Sequence, residues 1–165
     1  MRFRRSLSIL LLIALSVSAV ITSDILATSE KKVALDEVKA RLEKAKTPVE
    51  RALIQIQISD IILKEVKDSV SLNDTKTLSE WLEQYRQAIA SAREAILASG
   101  RDPQTESEGF KDLEILLRQH ITWLNTWKRK AADTKPIEES LIVASSIQKE
   151  MLDLLFPIIG EKTKR

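Results

Sequence analysis

The chain has 165 residues, with 44% hydrophobic and 30% charged residues but only three glycines and four prolines. This composition excludes a loop-rich β sandwich, a collagen-like repeat and a wholly disordered chain. With no cysteine and one histidine, disulfides, thiolate zinc sites, iron–sulfur clusters, c-type haem attachment and most catalytic triads are also excluded.

Arg2, Arg4 and Arg5 precede an apolar run from Leu7 to Ile21, and Val17-Ser18-Ala19 supplies small residues at a cleavage site. A basic start, an apolar middle and a small-residue end predict a secretory signal peptide over 1–19. A second cut is available after Ala27. The competing reading, a retained membrane anchor over 7–21, is short of the roughly 20 apolar residues a spanning helix needs. Both readings place the remainder outside the cytoplasm, periplasmic or extracellular, with membrane contact only through an uncleaved segment. Without residues 1–19 the chain has 23 basic and 24 acidic residues, a net charge of −1 in place of +2. A near-neutral domain of interspersed signs offers nothing to a nucleic acid.

Five helical segments follow, in a domain expected over 30–160 before a frayed tail at 161–165. Segment A (about 30–46) has a narrow coiled-coil-like seam of Leu35, Val38, Leu42 and Ala45. It would dock in a groove of the bundle or pair between two copies of the chain. Segment B (about 48–70) opens on Thr47, Pro48 and Glu50, a Thr-x-x-Glu capping box with proline at the first helical position. Apolar residues cover more than one stripe of B, as in the central helix of a bundle. The alternation within 54–62 would also suit a strand, but the segment is too long for one.

Segment C (about 77–99) carries Leu78, Trp81, Leu82, Tyr85, Ile89, Ala92 and Ile96 at 3/4 spacing, with Gly100 as its stop. Segment D (about 107–131) has Glu106 and Glu108 at its positive end and Lys128, Arg129 and Lys130 at its negative end. Segment E (about 136–156) runs from Pro136 to a stop at Pro157. Pro48–Ile54 and Pro136–Ile142 echo each other, through shared helix-start chemistry or through a duplicated hairpin. The fold expected is all-α: an up-down antiparallel bundle of four long helices plus a shorter N-terminal one.

Little of this carries chemistry. His120 sits at the edge of D's apolar stripe, where a packed, locally satisfied ring is the plain reading. Its outside role would be axial ligand to a b-type haem with Met151, but their heights differ by about 7 Å at 1.5 Å per residue. No Glu-x-x-His pair, EF-hand loop, Gly-x-Ser-x-Gly turn or phosphate loop occurs. A hydrolase is therefore disfavoured, and no catalytic residue, metal or cofactor is expected. Trp81 and Tyr85 on C, with Trp123 and Trp127 on D, are core or shoulder residues. Their functional alternative is an aromatic groove between C and D that receives a ligand or a partner helix.

Glu-Arg-Ala-Leu and Ser-Asp-Ile-Ile-Leu-Lys-Glu-Val in B, the Asn73-Asp74 turn, and Glu-Gln-Tyr-Arg-Gln-Ala in C resemble helical hairpins of secreted bacterial proteins classed as domains of unknown function. The likeness runs from Val49 to about Ile96, and Phe110-Lys111-Asp112-Leu113-Glu114 is of the same kind. It implies an exported bacterial helical protein and transfers no site residue. The function expected is a non-enzymatic interaction or structural module in the periplasm or cell envelope. Its partner would be another envelope protein. The alternative is a small-ligand or haem-binding four-helix bundle.

Overall fold

A computed structural model of the chain describes residues 33–157. The expected signal segment, both cleavage sites, the first residues of segment A and the tail at 161–165 lie outside the described residues. Within them the chain is all-α. It forms α1 (33–44), α2 (Pro48–Leu72), α3 (Thr75–Ala98), α4 (Phe110–Lys128) and α5 (Lys135–Leu155), with no strand. The chain divides into two units between Glu37 and Val38, and the second contains all four long helices.

Each long helix starts where local chemistry satisfies its first free N–H groups. At α2, Thr47 Oγ1 accepts from Glu50 N–H at 3.1 Å, and the Glu50 carboxylate returns to the Lys46 N–H at 2.9 Å. That return bond falls one residue before the position a capping box uses. The α2–α3 turn divides its work: Asn73 closes α2 in the left-handed region (φ 54°), and Asp74 caps α3 by accepting from Thr77 N–H at 3.1 Å.

α4 begins later than the charge pattern predicted. Gly109, at φ 84°, precedes it, and its N–H donates to Asp112 Oδ2 at 2.8 Å. Glu106 and Glu108 do not serve the helix dipole as expected. They lie 3.4 and 2.9 Å from Arg101 and tie the α3–α4 connector to itself.

The pairing of residues sets the direction of each helix. Glu114 meets Gln148 and Lys128 meets Glu138, so α4 and α5 are antiparallel. Across α3 and α5, Arg86 reaches the Pro136 carbonyl and Ser140 Oγ, and Arg93 reaches Glu150. Residue numbers climb together there, so these neighbours are parallel. Asp60 beside His120, and Val49 beside Gly109, make α2 and α4 parallel as well. Around the bundle the order is α2, α3, α5, α4, with α2 and α5 diagonally opposite. Two helical hairpins thus lie side by side, and the α3–α4 connector crosses between them. Pro48 opens the first helix of one hairpin and Pro136 the second helix of the other. The sequence echo therefore falls on positions that a hairpin duplication would not make equivalent.

The core is aliphatic. Ile62, Leu63, Leu82, Ile89, Ile96, Leu113, Leu117, Leu124, Ile137 and Met151 are sealed from solvent. From residue 38 onward, α1 leans on the α2–α3 face, where Arg41 donates to Gln57 Oε1 at 3.2 Å. α2 is therefore covered by α1, α3 and α4, which accounts for its broad apolar girth.

Candidate functional site

Tyr85, on the inward face of α3, and His120, on the inward face of α4, are both fully buried. Their ring centroids are 5.5 Å apart and their planes are tilted by 59°. The imidazole also stacks on Trp123 at 5.5 Å and 29°, and Trp123 meets Trp127 at 6.2 Å. An i, i+3, i+7 spacing along α4 brings the last three rings together. Tyr85 arrives because α3 and α4 face each other through the middle of the bundle.

This ladder runs from core to surface. Trp123 and Trp127 are half-buried, and Lys128 follows, paired with Glu138 at 3.0 Å. Trp81 is half-buried one turn before Tyr85. Tyr85 is sealed inside and so does not line an open groove between α3 and α4. The reason is the order of helices, which makes α3 and α4 diagonal partners rather than walls of one surface cleft.

The polar atoms of the cluster are poorly served. Tyr85 Oη, His120 Nδ1 and His120 Nε2 are buried without a protein hydrogen-bond partner. Their nearest charged neighbour, Asp60 Oδ1 on α2, lies 3.5 Å from Nε2, beyond a good hydrogen bond. Asp60 is itself 3.0 Å from Lys64 Nζ. Burial pushes the imidazole pKa down to about 4; Asp60 opposes the shift and Lys64 adds to it. Burial also raises the Tyr85 phenol well above its usual range. At neutral pH both groups are uncharged. The expected picture of a locally satisfied His120 is corrected on this point: the ring is packed, but its nitrogens are not satisfied.

His120 and Met151 do not fit a shared haem. The Glu114–Gln148 and Lys128–Glu138 pairs place His120 level with residues 143–144 of α5. Met151 lies about 10 Å farther along the axis at 1.5 Å per residue. The imidazole is also crowded by two aromatic rings at 5.5 Å, Tyr85 tilted and Trp123 stacked. Among the described residues no cluster of three or more His, Asp or Glu side chains could hold a metal ion. Glu114, buried on α4, is bound by Arg118 and by Gln148 at 3.2 Å.

Asp60 and Lys64 were not singled out in the sequence. Their i, i+4 spacing was visible, but the link to His120 depends on the parallel register of α2 and α4. No helix among the described residues is long and apolar enough to cross a membrane. Compared with known proteins, the chain matches no family model, no curated protein and no solved structure.

Proposed function

We propose that this chain is an exported, non-enzymatic interaction module whose long helices present a surface to another protein of the cell envelope. The observation that carries the reading is the placement of the aromatic ladder. Its histidine is closed off between Tyr85 and Trp123, while Trp123 and Trp127 keep part of their surface on α4. A general base needs a substrate within hydrogen-bond reach, and the buried ring offers none. Half-buried tryptophans suit anchoring, because they bring large contact area at small entropic cost. Ile115 on α4 and Ile142 on α5 add outward apolar side chains, 59% and 70% exposed. The export reading rests on the basic, apolar and small-residue pattern of residues 1–19 and on the resemblance to secreted helical hairpins.

The test is made in a bacterial host that expresses the full chain. A photo-crosslinking residue replaces Gln119, exposed on α4 one turn before Trp123, or Gln87, exposed on α3. The expected result is a shortened chain in the envelope fraction and one discrete adduct from position 119 that is lost in Trp127→Ala. Retention of the uncut chain in the cytoplasm would refute the export reading. Equal adducts from both positions would refute the surface reading.

A further inference from the structure

The described structure closes three helices onto one unsatisfied imidazole. Asp60 comes from α2, Tyr85 from α3, and His120 with Trp123 from α4. We propose that His120 is an acid-sensitive latch: gain of one proton by the ring loosens α4 from α3 and uncovers the Trp123–Trp127 face.

The neutral ring is tolerated because it packs. It lies 5.5 Å from each of two aromatic rings, and its two nitrogens carry only the modest cost of lost solvation. A proton changes that balance. The imidazolium has two N–H donors and a full charge in an apolar interior, where a charge without partners is strongly disfavoured. Relief is available in one direction only. Asp60, with about a third of its side chain in solvent, stands 3.5 Å from Nε2 at the edge of the core. Moving toward it draws α4 toward α2 and takes the ring away from Tyr85 on α3.

The other charged groups on the helices around the ring have partners of their own, Glu65 on α2 and Glu139 on α5, beside Arg86, included. On α2, Lys64 is already held by Asp60 and repels the cation. On α3, Tyr85 is neutral, and Arg86 turns away to Ser140 and the Pro136 carbonyl. On α4, Glu114 is occupied by Arg118. The α5 carboxylates Glu138 and Glu150 are bound by Lys128 and Arg93. The lowered pKa of the ring, about 4 against 6.5, puts the working range in mild acid. Between these values the open form holds a proton that the closed form does not. The open population therefore grows about tenfold for each pH unit of acidification.

The device is measured on the purified full chain. His120 is the sole histidine, so its ring C–H proton resonance follows its titration without assignment. Amide exchange by mass spectrometry, corrected for intrinsic rates, follows each helix. The expected outcome is a His120 midpoint well below 6.5. Protection of α4 should fall about tenfold per pH unit from 6.5 toward 4, while α2 and α3 hold. In His120→Phe the α4 protection stays level over that range. In Asp60→Asn, a surface change that leaves the core intact, the His120 midpoint moves about one unit further to acid because its counter-charge is gone.

Four results would each overturn the latch: a midpoint near 6.5; simultaneous loss of protection in all helices; an unaltered α4 profile in His120→Phe; or an Asp60→Asn midpoint that stays in place or moves toward neutral. The outcome is independent of whether the tryptophan face meets a partner.

Discussion

Tyr85→Phe should make this protein more stable, the opposite of what removing a buried tyrosine hydroxyl usually does. The ring is fully enclosed, and its hydroxyl has no protein partner. The substitution removes one oxygen and leaves the contact with His120 in place. Where a buried hydroxyl makes a hydrogen bond, its loss costs about 1 kcal/mol; where it makes none, folding has already borne a desolvation cost of about 1–3 kcal/mol. The expected gain is about 1–2 kcal/mol. For a domain of this size that raises Tm by about 2–8 °C. In urea, with a slope of about 2 kcal/mol/M, the midpoint should rise by about 0.5–1 M at unchanged slope. Equilibrium unfolding followed by circular dichroism at pH 8 reads both numbers, with the His120 ring neutral throughout. A midpoint that falls would refute the reasoning, because it would mean that the hydroxyl is satisfied in the folded protein.

Three further outcomes follow from the same structure. Leu117→Ala, at a fully buried site on α4, should cost about 2–5 kcal/mol by urea unfolding, the range for a leucine cavity in a packed core. Gly109→Ala should cost more than 1 kcal/mol, since φ is 84° and a Cβ would stand 3.3 Å from Ile96 Cγ1. Arg93 holds the Glu150 carboxyl below its usual pKa. The ionised pair therefore stabilises the fold above the ordinary carboxylate range, and that contribution disappears as pH falls through the lowered value. With both side chains about one-third exposed, a double-mutant cycle with Arg93→Gln and Glu150→Gln should give a coupling below about 1 kcal/mol at pH 7 and none at pH 2.

The helices were legible in the residues because helix formation is governed by neighbours within four positions. Thr47-Pro48-Val49-Glu50 starts α2, Asn73-Asp74 ends one helix and caps the next, and 3/4 spacing marks every inward face. The all-α class followed from these local signals alone. The start of α4 was misread, because Glu106 and Glu108 look like first-turn acids until Arg101 is seen to hold them. Gly109, whose positive φ lets the chain enter α4 close to Ile96, carried no signal beyond its being glycine.

Tertiary structure alone decided which helices touch. Hairpin directions follow from short turns, but the order α2, α3, α5, α4 depends on contacts between residues more than fifty positions apart, such as Arg86 with Ser140 and Asp60 with His120. The candidate site belongs to that second class. The sequence by itself marked His120, Tyr85, Trp123 and Trp127 as residues on inward or shoulder faces. Their meeting, and the absence of a hydrogen-bond partner for the imidazole, depend on three helices converging at one level. Periodicity shows which side of a helix avoids water, and only packing shows what that side meets.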